Sequence, residues 1–264
     1  MKRRNLFEFG DQPWLCGPMR HAYMDVLNLM LRLGGQYRRM HEPLLDWVQR
    51  AGGDAVLDLG SGGGGPMDSM LQAAESANLA MPKIVLSDLF PNLAHFVEMR
   101  DRYGAERVDF VAEPVPADAV PDGQPELRSI CSAFHHLSPE LAGRVVADAV
   151  TNGRGLVIIE PFQRDWRHFL MLLLSAPLAI FASLFAPFVA PRFRWGSLLF
   201  CTLLPLAPLM VHVDGMVSVL RMHRLAEIAE MIPADLRDEV EVWHGAMNCG
   251  PMRPLYVCLL RKPK

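Results

Sequence analysis

The sequence predicts an α/β fold, in which a doubly wound, mostly parallel sheet follows N-terminal helices and is interrupted by a helical hydrophobic insertion. Apolar runs of strand length alternate with stretches of helical periodicity over residues 51–165 and again over 215–264. Strands that alternate with helices of this length indicate a parallel sheet with helices on both faces. The first run, Ala55–Leu59, enters a glycine-rich turn, a combination typical of Rossmann-like sheets.

The same patterns divide the chain into four parts. Residues 1–50 are predicted as an N-terminal helical cap, because residues 20–50 carry apolar positions at the spacing of two or three helices. Residues 51–165 form the core, 166–214 the apolar insertion, and 215–264 the last helix and two closing strands. The predicted strands are 55–59, 83–87, 107–114, 126–139 (ending in a loop), 153–161, 239–245 and 254–262, and the predicted core helices are 67–79, 92–103, 141–151 and 224–232.

The composition narrows the class of protein. A net charge of −3 at pH 7 argues against a nucleic-acid partner, which would normally face a basic surface. The start of the chain, MKRRNLFEFGDQPW, has no apolar segment after its basic residues and is not interpreted as a secretion signal. Five scattered cysteines without a CxxC pair predict reduced, mostly buried thiols in a cytosolic protein and no metal site. They are Cys16, Cys131, Cys201, Cys249 and Cys258.

The glycine-rich turn after the first strand restricts the class of ligand. A phosphate-binding P-loop has the pattern GxxxxGK[ST], and it is excluded here because Pro66 and Met67 follow Gly65. The dinucleotide pattern GxGxxG is matched by Gly60, Gly62 and Gly65, but a run of glycines satisfies several patterns at once.

Two carboxylates flank this turn. Asp58 lies two residues before Gly60, where it would repel a pyrophosphate but would suit a ligand that carries an ammonium and a sulfonium group. Asp88, at the end of the second strand, is placed to accept hydrogen bonds from both hydroxyls of a ribose. Because NAD and S-adenosylmethionine both contain an adenosine ribose, Asp88 indicates adenosine without separating them.

The motifs VLDLGSGGGGP, VLSDLFPN, FHHLSP and LVIIEP, followed by the closing strands, resemble those of class I S-adenosylmethionine-dependent methyltransferases. The resemblance covers residues 40–165 and 215–264, and DGMVSVLRMHRLAEIAEMI resembles a stretch of a bacterial subgroup with an apolar insertion after strand five. It implies S-adenosylmethionine as the cofactor. The implied cofactor-binding residues are Asp58, Gly60, Ser61 and Gly62 at the methionine part, Asp88 and Leu89 at the ribose, and Ala133 after strand four. Pro116 stands where such enzymes often have an acidic or amide residue for the adenine, so Asp118 and a backbone carbonyl are the two candidates for that contact.

The candidate catalytic residues follow strands four and five. His135 and His136 lie at the carboxyl end of strand four, where one of them would act as a base or clamp the acceptor; the alternative is a loop or helix-capping histidine. Glu160, at the end of strand five, would orient a histidine or bind a cationic acceptor. In the N-terminal segment, Trp14, His21 and Tyr23 are candidate acceptor-pocket residues, and the alternative for Trp14 and Tyr23 is packing of a lid.

The insertion contains two long uncharged runs. Residues 169–190 carry no charge, and residues 195–213 carry none apart from His212, so each approaches the length that crosses a bilayer. Trp166, Arg167, Arg192, Arg194 and Trp195 flank these runs and resemble interface anchors. Prolines within the runs favour two bent helices that dip into one leaflet over a transmembrane hairpin. The alternative is a buried lid or the dimer face of a homo-oligomer.

The sequence therefore predicts an S-adenosylmethionine-dependent methyltransferase that acts on a small lipophilic acceptor at or near a membrane. The expected location is the cytoplasm, at the inner face of the cell membrane. Two alternatives from other classes are an NAD(P)-dependent oxidoreductase and a non-catalytic S-adenosylmethionine-binding protein associated with the membrane. The identity of the acceptor and its reacting atom are not encoded in these patterns.

Overall fold

The computed structural model describes residues 1–15, 17–190, 192–249 and 253–262. The chain forms two compact units. The helical unit comprises residues 1–35 and 162–222, and the sheet unit comprises residues 36–161 and 223–264.

Among the described residues, seven strands form one sheet. The strands are β1 Ala55–Leu59, β2 Lys83–Leu86, β3 Val108–Phe110, β4 Leu127–Cys131, β5 Gly155–Glu160, β6 Val240–Ala246 and β7 Leu255–Arg261. Their order is β3-β2-β1-β4-β5-β7-β6, with β1 to β5 parallel and β7 antiparallel to both neighbours. This confirms the predicted Rossmann-like, mostly parallel α/β fold.

Helices precede, separate and follow the strands. The helices are α1 Gly17–Gly34, α2 His41–Ala51, α3 Gly65–Ser76, α4 Leu93–Tyr103, α5 Pro139–Thr151, α6 Trp166–Ser183, α7 Ala186–Val189, α8 Trp195–Ser197, α9 Leu206–Arg221 and α10 Leu225–Glu230. Short 3₁₀ turns span Phe134–His136 and Ala234–Leu236, and a π-helical segment spans Leu198–Leu203.

The strand order reverses beside β1, which lies between β2 and β4. Leu59 at the end of β1 is in register with Ile130 near the end of β4. The carboxyl ends of these two strands therefore meet at one edge of the sheet, and in open α/β sheets this switch point is where ligands bind.

The core of the sheet unit lies between the strands and the covering helices. Leu57, Ile130 and Ile158 are fully buried in one cluster with Val146 of α5 and Ile228 of α10. Helices cover both faces of a parallel sheet, so the residues of these strands do not alternate between buried apolar and exposed polar positions.

Helix α2 belongs to the sheet unit, whereas the predicted N-terminal cap at 1–50 grouped it with α1. Trp47 of α2 is completely buried and donates its indole N–H to the Leu259 carbonyl of β7 over 3.2 Å. Burial of a large aromatic side chain with a satisfied N–H fixes the helix on the sheet. The unit boundary at Gly35 therefore separates α1 from α2.

The helical unit combines α1 with α6 to α9. Its core contains Ala22, Val26, Ala186, Cys201 and Ala207. The small side chains allow the helices to approach closely, and the α6 and α9 helices lie in direct contact.

Two buried carboxylates connect segments of the helical unit through hydrogen bonds and an ion pair. Asp25 of α1 accepts a hydrogen bond from Ser197 at 2.5 Å and pairs with Arg194 at 3.4 Å. Asp214 of α9 accepts the Tyr23 hydroxyl at 2.7 Å and the backbone N–H of Phe9 at 2.8 Å. Because a buried charge needs partners, these contacts determine how α1, α9 and the N-terminal segment pack.

The helical unit exposes an extensive set of large apolar side chains, which we call the apolar surface. It consists of Trp166, Leu170, Leu173, Leu174, Leu178, Phe181, Phe185, Phe188, Val189, Phe193, Trp195, Leu199, Leu203, Leu204, Leu206, Leu209 and Val213. Large exposed apolar patches are rare on monomeric soluble proteins and often mark sites of contact with proteins or membranes. Helix α6 is long and apolar enough to cross a membrane, and only 11% of it is buried. The segments Trp195–Leu203 and Leu206–Arg221 pass the same test together but are bent by 71°.

The cysteines in the described residues are buried and free: Cys131, Cys201, Cys249 and Cys258. This agrees with the predicted buried thiols. Cys16 lies outside the described residues.

Candidate functional site

The turn after β1 is built from glycines in left-handed backbone conformations. Gly60, Gly62 and Gly64 have φ angles of +64°, +53° and +64°, which only glycine adopts at little cost. The N–H of Ser61 donates to the Ser87 carbonyl over 2.9 Å and fastens the turn to the end of β2. The turn thus presents backbone at the carboxyl edge of the sheet.

Asp58 lies beneath this turn and is only 2% exposed. Its carboxylate accepts hydrogen bonds from Ser129 of β4 at 2.7 Å and from Ser61 at 2.8 Å. Burial raises the pKa of Asp58 to about 6, although the bonds from Ser129 and Ser61 oppose the shift. Asp58 therefore joins β1, β4 and the glycine turn, and its predicted contact with a ligand remains a prediction.

Asp88 lies opposite the turn, just beyond β2. One carboxylate oxygen accepts the Gly62 N–H over 2.7 Å and the other accepts the Phe90 N–H over 2.8 Å. Each carboxylate oxygen has a second lone pair, so the fixed carboxylate can also accept hydrogen bonds from a ligand. The neighbouring Leu89 side chain is 49% exposed, which suits packing against a flat apolar group.

The candidates for the adenine contact have different surroundings. Asp118 accepts a hydrogen bond from Arg144 over 2.8 Å, so its carboxylate is already paired. The backbone around Val115 lies beside the cofactor candidates, because the Val115 N–H donates to the Asp88 carbonyl over 2.9 Å. This geometry favours a backbone contact over Asp118.

Ala133 closes the opposite side of the turn. A Cβ atom on Gly60 would lie 3.3 Å from the Ala133 Cβ, so the segment after β4 packs closely on the glycine turn. The seven predicted cofactor-binding residues are thus all found around one edge of the sheet unit.

Glu160 and His135 form a buried pair at the same edge. The His135 backbone N–H donates to Oε1 of Glu160 over 3.0 Å, and the His135 ring Nδ1 lies 2.7 Å from Oε2. Burial raises the pKa of Glu160 to about 7, while the bond from the His135 backbone and the charges of His136 and His223 oppose the shift. The His136 ring stacks on the His135 ring with centroids 4.1 Å apart. Three of the predicted catalytic groups are therefore in contact.

The predicted acceptor residues belong to the helical unit. Trp14 is 58% exposed and contacts Phe9 edge-on, and His21 is exposed. Tyr23 is buried with its hydroxyl bound to Asp214, which matches the alternative of a packing role. A contact of these residues with an acceptor remains a prediction.

Two residues of this region were not identified from the sequence. Tyr37, in the turn before α2, is 1% exposed, and its hydroxyl is hydrogen-bonded to the Ser132 hydroxyl. Ser132 directly follows β4 and has a φ of +56°. The two residues are far apart in sequence and belong to no motif, so only the fold brings them together.

The sequence matches no protein-family model and no curated protein. Solved structures with a similar fold include methyltransferases. The plantazolicin methyltransferase in complex with a monoazolic desmethylPZN analogue and S-adenosylhomocysteine has a TM-score of 0.51 at 10% identity, over 93% of this chain and 90% of that chain. A second structure of that enzyme with S-adenosylhomocysteine has a TM-score of 0.50 at 12% identity, over 96% and 93%.

The mitomycin 7-O-methyltransferase has a TM-score of 0.47 at 16% identity, over 88% of this chain and 54% of that chain. This chain thus spans about half the length of that enzyme. Identities this low establish architecture and leave activity open. The protein has the class I S-adenosylmethionine-dependent methyltransferase fold, as the sequence motifs predicted.

Proposed function

We propose that the protein is an S-adenosylmethionine-dependent methyltransferase that methylates a small lipophilic acceptor at or near a membrane. The observation that supports this most directly is the bond between Asp88 and the Gly62 N–H in a sheet of this fold. It fixes a carboxylate beside a turn without side chains, at the switch point where such sheets bind adenosine ligands.

The residues present fit S-adenosylmethionine. Asp88 would accept hydrogen bonds from the ribose hydroxyls, and Leu89 beside it would also contact the ribose. Gly60, Ser61 and Gly62 would surround the methionine part, since their backbone can approach a ligand closely. Asp58 would favour the cationic cofactor through its charge while holding the turn in shape.

When bound, S-adenosylmethionine supplies an electrophilic methyl group on a sulfonium. The protein then has to align the acceptor and remove its proton where the acceptor atom carries one. His135 is the proposed base. The contact of its ring Nδ1 with Glu160 would hold the ring in place, and the carboxylate would stabilise the imidazolium that forms when His135 takes the acceptor proton. His136 would support the ring orientation by stacking.

The apolar surface supports a lipophilic acceptor and a membrane location. Trp166 and Arg167 begin α6, and Arg192 and Trp195 lie beyond its far end; all four are exposed, as expected of groups that anchor at the headgroup level. The bent pair that contains α9 suits insertion into one leaflet of the inner face of the cell membrane. The competing use of this surface is contact between copies in a homo-oligomer.

Titration calorimetry with S-adenosylhomocysteine and, separately, with NAD tests the cofactor. We expect only S-adenosylhomocysteine to bind, with a dissociation constant below about 1 mM. Asp88→Ala should weaken it roughly 10-fold or more, since hydrogen bonds to a charged group are lost. Asp109→Ala, which removes an exposed partner of Lys83, is the matched control. Tight binding of NAD alone would contradict the proposal and support the oxidoreductase.

Incubation with S-adenosylmethionine labelled in its methyl group and a bacterial lipid extract tests the reaction. We expect label in the organic phase, and Glu160→Gln should lower its rate of appearance by on the order of 100-fold. Cofactor binding without transfer to any fraction of lipids and small metabolites would instead support the non-catalytic binding protein.

A further inference from the structure

Ser132 connects the two halves of the candidate site. It lies between β4, which ends at Cys131, and Ala133, which packs on Gly60. Two residues beyond Ala133, His135 meets Glu160. The direction in which the chain leaves Ser132 therefore determines the position of both Ala133 and His135.

The backbone of Ser132 adopts a conformation that serine seldom occupies. Its φ of +56° is left-handed, a conformation that is unfavourable for a residue with a Cβ atom. Such a conformation persists only where the surroundings determine it, and it often occurs at functional sites.

Two hydrogen bonds hold Ser132 in this conformation. Its N–H donates to the Ile159 carbonyl of β5 over 2.8 Å, which is an ordinary continuation of the sheet. Its hydroxyl forms a hydrogen bond with the hydroxyl of Tyr37, a residue that does not belong to the sheet. Tyr37 is itself held in a turn, in which the Met40 N–H donates to the Tyr37 carbonyl over 3.1 Å.

We propose that Tyr37 is a positioning residue of the candidate site, which keeps Ser132 left-handed and thereby sets Ala133 against Gly60 and His135 against Glu160. This proposal rests on the proposed function, which assigns cofactor binding and catalysis to the site. The contacts of Tyr37, Ser132 and His135 from which it is argued do not depend on a bound cofactor. Tyr37 acts on the site through its hydrogen bond to Ser132.

The ionisation of Tyr37 agrees with a structural hydroxyl. Burial raises the pKa of Tyr37 well above its usual range. The hydrogen bond to Ser132 lowers this pKa, whereas the charge of Glu160 raises it. Tyr37 therefore keeps its proton at neutral pH and acts as a hydrogen-bonding group.

Four variants test the proposal: Tyr37→Phe, Ser132→Ala, Ser132→Gly and the double variant Tyr37→Phe/Ser132→Gly. Tyr37→Phe and Ser132→Ala remove the side-chain bond while a Cβ atom remains at position 132. We expect both to weaken S-adenosylhomocysteine binding by about 3- to 10-fold, the equivalent of one hydrogen bond. We also expect the NMR titration of the His135 imidazole to shift, because its contact with Glu160 loosens.

Glycine at position 132 adopts the left-handed conformation without support. Ser132→Gly should therefore bind S-adenosylhomocysteine like the wild type, and adding Tyr37→Phe should cause no further loss. Tyr103→Phe is the control, since it removes a comparable bond to Asp68 at 2.6 Å and should leave both readouts unchanged.

The proposal is overturned if Tyr37→Phe leaves the affinity and the His135 titration unchanged, or if Ser132→Gly behaves like Ser132→Ala. Should Tyr37→Phe fail to fold, the comparison of the two Ser132 variants decides it. If the wild type does not bind S-adenosylhomocysteine, the proposed function fails, and the His135 titration alone tests the positioning role.

Discussion

Glu160 binds His135 twice, through the backbone N–H at 3.0 Å and through ring Nδ1 at 2.7 Å. The two contacts fix both the position and the orientation of the imidazole on a residue at the end of the adjacent strand. A carboxylate that holds Nδ1 is the arrangement by which proteins select one histidine tautomer. The pair therefore has the geometry of a base and its orienting group.

Glu160→Gln is expected to alter the pH dependence of methyl transfer. In the wild type, kcat/KM should rise with pH through about 7, where the carboxyl of Glu160 loses its proton; the apparent value belongs to the pair because the two groups are coupled. The variant should lack this rise and should be slower by on the order of 100-fold. The rate is measured between about pH 5 and 9, with the exposed Glu239→Gln as control. An unchanged profile would remove Glu160 from the mechanism.

His135→Ala is expected to lower turnover far more than it lowers cofactor affinity. His136→Ala should have a smaller effect on turnover, because the proposed role of His136 is to support the His135 ring, which lies with its centroid 4.1 Å away. Single-turnover rates and calorimetry with S-adenosylhomocysteine separate the two quantities. Equal losses of turnover in both variants would assign the base role to neither histidine alone.

Asp58→Asn is expected to change how stability depends on pH. The raised pKa of Asp58 means that the folded protein keeps a proton between pH 3.8 and about 6 that the unfolded chain releases. Wild-type stability therefore falls as pH rises through this window, by on the order of 3 kcal/mol from this group. The free energy of unfolding of the variant, relative to wild type, should rise over the same window and then level off.

Urea denaturation at several pH values measures this difference. Asp109→Asn is an informative control, because the pKa of Asp109 is lowered and its difference should run in the opposite direction. A pH-independent difference for Asp58→Asn would show that the carboxyl is not perturbed.

Gly64→Ala is expected to destabilise the protein more than Gly52→Ala. Both glycines are left-handed, with φ of +64° and +66°, so both variants bear the cost of about 1–2 kcal/mol. At Gly64 the new Cβ would also meet Met99 Sδ at 2.5 Å and His95 Nε2 at 2.8 Å, whereas nothing lies within 4 Å at Gly52. Thermal and urea unfolding compare them, and equal losses would mean that the turn adjusts freely.

Leu174→Glu/Leu178→Glu is expected to reduce binding to anionic phospholipid vesicles by at least about 10-fold. These α6 side chains are 78% and 72% exposed, and each would contribute about 1.5–3 kcal/mol when buried in lipid. Leu79→Glu/Val97→Glu on the sheet unit has the same charge change and serves as control. Vesicle co-sedimentation and mass measurement decide between the membrane and a homo-oligomer, since a dimer disrupted by the α6 variant would contradict membrane contact.

Elements could be predicted from the sequence where their own residues show a characteristic pattern. The prediction for β1, Ala55–Leu59, agrees with the structure residue for residue, because an apolar run bounded by glycines is unambiguous. The segment 126–139 was predicted as a strand that ends in a loop, without a residue at which the strand stops, and the structure ends β4 at Cys131. A serine in a left-handed conformation has no sequence signature, so the turn at Ser132 was not visible.

Contacts between residues that are distant in the sequence were harder to predict. The carboxyl edge brings Asp58, Asp88, His135 and Glu160 together because parallel strands end at the same side, and that part follows from the predicted topology. The bond of Tyr37 to Ser132 and the contact of Trp47 with β7 depend instead on how α2 docks. Helical periodicity indicates that α2 has an apolar face but not which surface that face covers.

The placement of β7 has a consequence for biosynthesis. β7 is the last of the seven strands to be translated, yet it is inserted between β5 and β6. Until β7 emerges from the ribosome, the nascent chain displays the unpaired and largely apolar strand Gly155–Glu160, whose exposed edge can template aggregation. A premature stop before Leu255 would thus produce a substrate for chaperones and proteases rather than a shorter working protein.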